Sequence, residues 1–360
     1  MKIGILYPRI SHYREEFFQA LIQKHNVDFF IYESKVKSSK DNFKNSQIPS
    51  HQLATYTVYN KMRLINILPF FKKKYDVLIL IGEMRSFSVW LLLFLMKLSN
   101  TKTILWGHGI SINAYIEEKE KLNPFRVVFH KLADHNWLYT EKEVEIWKKY
   151  INEKKLTSLN NTIYVEEILK EPILDKIDLK NKHNITTEVN FIFSARFTNP
   201  HRRTDLLLEL IKKLDGTKYG FIIIGDGELK PNFKSYNNVY DFGAVYDRKL
   251  KSELFQISDI YFQPGWIGLS CTEALAYGKM VITFERSEQV KQCVEYAYLN
   301  SENSYIAKNI DDLISFIYSL DQQKIEKYSS NAREYARSNL TMKTMVNNAL
   351  NSLSEIVKIR

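Results

Sequence analysis

The chain has 360 residues, of which 45% are hydrophobic and 26% are charged; this ordinary globular composition excludes extensive disorder, and the length suits two domains with a core each. The formal net charge of +10 is uneven, because residues 1–170 hold 26 Lys and Arg against 17 Asp and Glu, whereas the remainder holds 25 against 24. A basic half suits anionic partners, but no nucleic-acid motif accompanies it, so we expect no nucleic-acid partner.

Three features bear on the compartment. The first residues, MKIGILYPR, are apolar too early and too briefly for a secretory signal, and they predict a first strand. The longest apolar run, FSVWLLLFLM at residues 87–96, is about half of the ~20 residues that a spanning helix needs, so it predicts a buried helix. Cys271 and Cys293 fit neither a disulfide framework nor a zinc site. We therefore expect a cytoplasmic protein.

The stretch RLINILPFFKKKYD, at residues 63–76, mixes aromatic side chains with cations. This mixture suits contact with anionic lipid head groups or with an acidic substrate. A solvated lysine cluster before a strand is the alternative interpretation. One expectation is therefore peripheral contact with an anionic membrane, at the inner face of the cell membrane.

In chain order, short β-rich runs alternate with longer runs of 3.6-residue periodicity, which is typical of strands joined by crossover helices in a parallel sheet. The strands predicted for the first half are 2–6, 27–32, 77–81, 103–106, 135–139 and 158–162. The helices predicted between them are 13–25, 86–98, 124–133 and 141–151. The last begins with TEKE, where Thr140 and Glu143 predict a capping box.

The alternation fails at residues 166–188, which are charged and keep neither period, and this segment is the predicted linker. Afterwards the predicted strands are 189–195, 219–224, 239–242, 260–263 and 280–284. The predicted helices are 204–214, 248–257, 270–277, 310–320 and a terminal pair from residue 323. We expect two doubly wound α/β domains, 1–165 and 189–340, with a helix at about 341–360 that can pack back on the first. A ligand is expected between them, at the carboxyl ends of the strands.

Cations follow the first strand of the second half. Arg196 comes directly after it, and Arg202 and Arg203 precede a helix whose amino terminus adds positive potential. A diphosphate would bind well there, although the arginines can also simply solvate a loop. The next strand ends in Gly225-Asp226-Gly227, which is a turn unless a ligand approaches it, and no P-loop sequence occurs.

A lone histidine, His108, lies between two glycines directly after a predicted strand of the first half. Such a histidine is more often structural, but a loop at the carboxyl edge of a sheet favours a role in a site.

The stretch QPGWIGLSCTEALAYGK, at residues 263–279, contains a carboxylate with two interpretations. Ser270 and Glu273 have the spacing of a capping box. Alternatively, Glu273 in the first helical turn binds the paired hydroxyls of a ribose. The residues alone do not separate the two.

Four pieces in order resemble the GT-B glycosyltransferases, and among them the retaining family 4. They are SARFTNPHRRTDLLLELI, IIIGDGEL, VYDFGAVYDRKL and PGWIGLSCTEALAYGKMVIT. The resemblance covers nearly the whole second half and is looser in the first. It implies an α/β fold of the GT-B class, with two Rossmann-like doubly wound domains facing across a cleft.

The resemblance also implies roles for single residues. Arg196 and Arg202 match the basic pair that holds the diphosphate, the second being lysine in most members, and His108 matches a histidine that touches the donor sugar. Glu273 matches the second signature glutamate, which binds the ribose. The remaining candidates on the donor side are Gly268, Leu269, Ser270, Trp266, Gly265, Gly225 and Tyr246.

Two departures from the family pattern stand out. The first signature glutamate should lie eight residues before Glu273, where this chain has Gly265, followed by Trp266 in place of a usual glycine. The loop after the first strand lacks the common glycines, and its polar side chains are candidates for acceptor or phosphate contact, with exposed loop cations as the alternative. These side chains are Arg9, His12, Tyr13 and Arg14.

We therefore expect a metal-independent, retaining glycosyltransferase without a cofactor. Its donor would be a nucleotide sugar, UDP-linked before GDP-linked, and its acceptor a glycan or lipid-linked intermediate of bacterial surface polysaccharide or lipopolysaccharide. The alternative is a non-catalytic GT-B scaffold or partner subunit, which the missing glutamate suggests.

Overall fold

A computed structural model of the chain describes residues 1–33, 46–59 and 62–358. They form two compact units. The first unit contains Met1–Asn161 together with the residues from Met342 onward, and the second contains Thr162–Thr341. Among the described residues, no helix has the length and apolarity that a membrane span requires.

The first unit is built on a parallel sheet in the order β3-β2-β1-β6-β7-β8-β9, with a separate antiparallel hairpin of β4 and β5. The strands are β1 (Lys2–Tyr7), β2 (Asn26–Ile31), β3 (His51–Gln52), β4 (Thr55–Val58), β5 (Met62–Ile65), β6 (Val77–Ile81), β7 (Lys102–Trp106), β8 (His135–Leu138) and β9 (Leu156–Ser158). The helices are α1 (Glu15–Lys24), α2 (Phe87–Met96), α3 (Tyr115–Glu118), α4 (Pro124–Leu132) and α5 (Glu141–Trp147).

The second unit has a parallel six-stranded sheet in the order β12-β11-β10-β13-β14-β15. Its strands are β10 (Val189–Ser194), β11 (Tyr219–Ile224), β12 (Val239–Asp241), β13 (Ile260–Phe262), β14 (Met280–Phe284) and β15 (Ser304–Ala307). Its helices are α6 (Val165–Leu169), α7 (Lys176–Lys182), α8 (Thr204–Lys213), α9 (Arg248–Ile257), α10 (Leu269–Ala276), α11 (Ile310–Tyr318) and α12 (Gln322–Asn339). The last helix, α13 (Met342–Lys358), belongs to the first unit.

Both sheets are covered on their faces, so their central strands are continuous apolar runs. All six residues of β11 are buried, and β6 is buried from Val77 to Leu80. In the second unit β10 pairs with both β11 and β13, so the chain direction around the sheet reverses between β10 and β13. Ligands of open α/β sheets bind outside the carboxyl ends of the strands at such a reversal.

The predicted linker is part of the second unit. Residues 166–188 contain most of α6 and all of α7, and Asp175 caps α7 by accepting from the amides of Ile177 and Asp178. Lys182 and His183 also reach the buried carboxylate of Glu253 on α9. The sequence did not predict these two helices, because each is too short to show a 3.6-residue period. The partners of their charged side chains lie far away in the sequence, so the ion pairs were not visible either.

One predicted strand is displaced, and four short strands, β3, β4, β5 and β15, were not predicted. The strand predicted at residues 158–162 is β9, which ends at Ser158. The hairpin of β4 and β5 was not predicted, because most of its residues are exposed and carry no alternation. The edge strand β15 was also missed, because SYIA has no apolar run and is assigned by its register with β14.

Candidate functional site

The loops that follow β10 and β13 emerge side by side at the carboxyl edge of the second sheet, because the two strands are paired at Phe191 and Ile260. Arg196 follows β10 and its side chain is exposed. The loop after β13 begins at Gln263 and leads into α10. The structure therefore brings Arg196 and the QPGWIGLS loop to the reversal point of this sheet.

A short 3-10 helix, Pro200–Arg202, carries the second cation of this edge. Asn199 caps it through the His201 amide, and Arg203 then takes a left-handed φ of 54° as the chain turns into α8. Arg202 donates from Nη1 to the Trp266 carbonyl at 2.8 Å. Its Nε is buried and has no hydrogen-bond partner among the described residues.

Burial lowers the pKa of Arg202, and the nearby charge of Arg196 lowers it further. Both effects disfavour the charged form, and a negative charge beside the two guanidinium groups would offset them. An arginine nevertheless stays protonated at any physiological pH.

The loop after β13 is locked against the loop that carries Arg202. A Cβ placed on Gly265 would lie 2.4 Å from the His201 carbonyl oxygen, so only glycine fits at this position. The rings of His201 and Trp266 stack, with centroids 5.0 Å apart and planes 17° from parallel. Trp266 has a φ of 55°, which is strained for a bulky side chain.

Two buried amide side chains support the same loop from below. Gln263 donates to the Gly265 carbonyl at 2.7 Å. Gln292 accepts from the Ile267 amide at 2.9 Å and donates to Thr283 Oγ1 at 2.9 Å. Because every bond of this set is buried, the loop is preorganised with its backbone fixed.

The helix α10 begins at Leu269 with Gly268 as its N-cap, and no side chain caps it. Of the two interpretations of this stretch, the capping box of Ser270 and Glu273 is therefore not formed. Ser270 lies inside the first turn, and its Oγ accepts from the Tyr261 hydroxyl at 2.8 Å. The first amides of a helix have no acceptor within the helix, so the start of α10 offers donors at this edge.

The carboxylate of Glu273 is 3% exposed and already has two partners in the second unit. Lys251 on α9 lies 2.6 Å from Oε2, and Tyr164 donates to Oε1 at 3.2 Å. The negative charge also helps to raise the pKa of Tyr164, after burial as the main cause. Sequence reasoning missed both partners, because neither lies in a motif and Tyr164 lies just before the predicted linker.

Gly225, in the loop after β11, lies where two stretches of backbone pack closely. Gly225 has a φ of 141°, and a Cβ there would lie 1.8 Å from the Ala195 carbonyl oxygen, directly beside Arg196. Lys230, which was not predicted, donates to the Gly225 carbonyl at 2.9 Å and pairs with Asp241 at 2.7 Å. Tyr246, which follows the Gly243–Ala244 pair after β12, is 67% exposed.

In the first unit His108 follows β7 in a firmly held loop. Its neighbour Gly109 donates to Glu143 at 2.8 Å and accepts from Trp147 Nε1 at 2.8 Å. The His108 ring meets Tyr139 edge to face, with centroids 4.5 Å apart. Its Nδ1 is buried and has no hydrogen-bond partner among the described residues. Burial, helped by the charge of Arg126, lowers the pKa of His108 to about 4, so the ring is neutral at physiological pH.

The four candidate residues of the loop after β1 lie in different surroundings. Arg14 is buried rather than exposed: it donates to Asn161, contacts the Met345 sulfur at 3.4 Å, and ties this loop to α13. Arg14 is therefore not an exposed loop cation, and its contact with an acceptor stays a prediction. Arg9 lies 3.7 Å from Glu33, while His12 is exposed with its ring against Tyr13.

Residues 175–338 match the family Glycosyl transferases group 1. An uncharacterized 41.2 kDa protein in the cps region of Klebsiella pneumoniae is 31% identical over 138 residues, a segment that spans 37% of this chain and 37% of that protein. The family match covers most of the second unit, including the loops of the reversal point.

Solved structures extend the likeness to the fold of the whole chain. HepE of Anabaena, in complex with UDP, superposes with a TM-score of 0.71 at 14% identity and covers 98% of this chain and 100% of its own. A glycosyltransferase from Rickettsia africae gives 0.66 at 16% identity over 100% of this chain and 99% of its own. The lipopolysaccharide outer core galactosyltransferase WaaB, in its apo form, gives 0.67 at 14% identity, covering 98% and 99%.

The chain has the GT-B fold. At these identities the likeness establishes the fold alone, and the expectation of two Rossmann-like parallel-sheet domains is confirmed.

Proposed function

We propose that this chain is a retaining, metal-independent glycosyltransferase, which moves a sugar from a nucleoside diphosphate to a glycan or lipid-linked acceptor. The observation that carries the proposal is the meeting of Arg196, Arg202 and the amino terminus of α10 at the reversal point of the second sheet. Support for UDP as the nucleotide comes from HepE, which is described in complex with UDP and with UDP-glucose.

The acceptor class rests on the relatives' descriptions. WaaB is described as a lipopolysaccharide outer core galactosyltransferase, and the Klebsiella protein lies in a cps region. We therefore propose an acceptor from bacterial surface polysaccharide or lipopolysaccharide synthesis. The protein would work in the cytoplasm with peripheral contact to an anionic membrane, which suits the excess of positive charge in residues 1–170.

The chemistry of the proposed transfer is the departure of a nucleoside diphosphate. As the bond to the sugar breaks, charge develops on the β-phosphate, and cations already in place stabilise it without reorganisation. Arg196 and Arg202 would supply this charge, with the Leu269 and Ser270 amides of α10 as further donors. His108, neutral at physiological pH, would meet the donor sugar as a hydrogen-bonding group rather than as a cation.

The sugar-binding part of the site would differ from the family pattern at one position. The His201 carbonyl fills the space that a side chain at position 265 would need. The donor sugar would therefore lie against the Gly265–Trp266 backbone and the indole ring, not against a carboxylate. Glu273 would accept from the ribose hydroxyls only if Tyr164 moved off its carboxylate, because the group is 3% exposed.

A nucleotide screen followed by a transfer assay tests this function. Thermal unfolding is measured with UDP, GDP and CDP, since a nucleotide that binds only the folded chain raises the melting temperature by mass action. Release of nucleoside diphosphate is then measured from a panel of nucleotide sugars with membrane extract as acceptor. Arg196→Ala should slow transfer by about 10²-fold or more. Arg337→Ala is the matched control, because Arg337 is an exposed cation on α12 paired to Glu334.

A non-catalytic scaffold is the second candidate, and the filled space at Gly265 favours it. A scaffold without a donor site would show no melting shift with any of the three nucleotides. Transfer that Arg196→Ala leaves unchanged would instead place the diphosphate elsewhere.

A further inference from the structure

The apolar helix α2 is only half covered. Val89, Leu92, Leu93 and Met96 pack into the core of the first unit. Three other side chains of α2 recur at spacings of four and three residues, which places them on one outer stripe. These are Phe87, Leu91 and Phe94, which are 51%, 37% and 59% exposed, and Leu98, in the turn directly after the helix, is 79% exposed. The predicted buried helix is therefore buried on one face only. The four residues Phe87, Leu91, Phe94 and Leu98 are called the apolar stripe.

Neighbouring elements of the first unit continue the exposed apolar surface. The helix α4 packs on α2 through the rings of Trp90 and Phe129, 4.7 Å apart, and it exposes Phe125 and Val128. The hairpin strand β5 is tied to α2 where the Ile65 amide donates to Ser88 Oγ at 2.7 Å. Soluble monomers rarely leave a surface of this kind without a partner.

One end of the apolar stripe lies beside lysines. Thr101, just after α2, donates to the Tyr75 carbonyl at 2.8 Å, next to the run Lys72–Lys73–Lys74. Lys97 pairs with Asp134 at 2.9 Å, which brings the end of α2 beside the end of α4, where Lys131 lies in the last turn. Lys72, Lys73, Lys74, Lys97 and Lys131 are all exposed, and together they are called the lysine edge.

We propose that the apolar stripe enters the head-group region of an anionic lipid bilayer, with α2 in the plane of the interface and the lysine edge on the lipid phosphates. Apolar side chains flanked by lysines are the features that hold a helix at a membrane surface. The inference deepens the membrane contact of the proposed function and rests on that part of it, but not on the nucleotide site.

Charge decides between a membrane and a second copy of the chain. A two-fold contact through the apolar stripe would use the same surface on both copies. A parallel pairing of the two stripes would bring the lysine edges together, and like charges across an interface oppose association. An antiparallel pairing would instead place each lysine edge beside the Phe87 end of the other copy, which leaves the lysines without the row of anionic groups that a lipid surface offers. An anionic bilayer satisfies both the apolar and the basic part of the surface.

Vesicle flotation of the full chain tests the proposal. One vesicle contains phosphatidylcholine alone, and the other also contains phosphatidylglycerol. The parent should bind the anionic vesicle, and added salt should weaken the binding because it screens the lysine edge. Burying one stripe side chain is worth about tenfold in affinity, so combined Phe87→Gln, Leu91→Gln and Phe94→Gln should lower binding by well over tenfold.

Two further variants separate the contributions. Combined Lys72→Gln and Lys74→Gln should weaken the preference for phosphatidylglycerol by about tenfold or more, since each lysine near an anionic surface is worth about 1 kcal/mol. The matched control is combined Ile173→Gln and Ile177→Gln, which replaces residues of the second unit that are 85% and 69% exposed. This control should bind the anionic vesicle as the parent does, because it changes exposed apolar area away from the stripe.

Three results would overturn the membrane proposal. A parent that does not float with the anionic vesicle, or a stripe variant that floats equally well, overturns the proposal. So does sedimentation that shows a parent dimer and a monomeric stripe variant, since a second copy would then cover the stripe. A melting shift with nucleotide, measured on every variant, reports folding and the donor site separately, so vesicle binding can fail while the proposed transferase activity stands.

Discussion

The two units have the same kind of parallel sheet but use their buried polar groups differently. The first unit buries neutral histidines: burial lowers the pKa of His108, His130 and His135 to about 4 each. The second unit instead fixes its reversal-point loops with buried amides and the ion pair of Lys251 and Glu273. Acid should therefore lower the stability of the first unit. Substitutions in the reversal-point loops should instead lower the activity proposed for the second unit.

The largest expected effect is loss of stability of the first unit in acid. As pH falls through about 6.5, the unfolded chain binds protons at these histidines, but the folded chain does not until about pH 4. The free energy of unfolding is thus highest above about pH 6.5. It falls as the pH drops toward about 4, by at most about 3 kcal/mol per histidine. Four of the five tryptophans lie before residue 150, so their fluorescence in denaturant titrations reports this unit.

His108→Gln provides the check on this prediction. It removes a titrating group that has no hydrogen-bond partner at Nδ1 among the described residues, so the variant should lose about a third less stability between neutral and acid pH. Coincident unfolding curves for the parent at neutral pH and near pH 4.5 would contradict the prediction.

The second expected effect separates the charge of Arg202 from the shape of its guanidinium group, at the sheet edge where the diphosphate is proposed to bind. Arg202→Ala should lower transfer about 10²-fold, since one preorganised donor is removed. Arg202→Lys keeps the charge but loses the planar fork that also reaches the Trp266 carbonyl, so its loss should be about tenfold. Transfer kinetics with the best nucleotide sugar from the screen measure both. Equal losses would show that the fork, and not the charge, is what matters.

The sequence predicted the elements that a local pattern specifies. The strands at 77–81, 219–224 and 280–284 and the helix at 248–257 have the predicted bounds, because each is an apolar run or an amphipathic repeat of sufficient length. The paired carboxyl ends of β10 and β13 were likewise predictable, since parallel strands with crossover helices place their following loops at one edge.

The remainder depended on contacts between distant residues. Gly265 and His201 are 64 positions apart, so no local pattern shows that the His201 carbonyl excludes a side chain at 265. The helix α2 is apolar on every side, and periodicity could not tell its core face from its outer stripe. Ser270 matches a capping box in sequence, yet its Oγ accepts from the Tyr261 hydroxyl and Gly268 is the N-cap of the helix.

The third expected effect tests the locked loop of the second unit. Gly265→Ala should destabilise the chain by about 1–3 kcal/mol, because its Cβ overlaps the His201 carbonyl oxygen, and Gly265→Glu should not restore a family-like site. Gly268→Ala is the matched control, since its Cβ would meet only Cys293 Sγ at 3.9 Å; its loss should stay below about 1 kcal/mol. Urea unfolding compares them, and equal losses would refute the steric argument.

The smallest expected effect isolates the ring stack. His201→Ala removes the ring that lies flat on Trp266, a contact worth about 0.5–1.5 kcal/mol beyond area burial. Trp266 is the only tryptophan after residue 150, so the difference spectrum against Trp266→Phe isolates its emission. That emission should shift to longer wavelength in His201→Ala, because water reaches the exposed indole face. The emission of the four tryptophans of the first unit should stay unchanged, since the loop lies entirely within the second unit. An unshifted Trp266 signal would mean that Arg202 and the buried amides alone fix the loop.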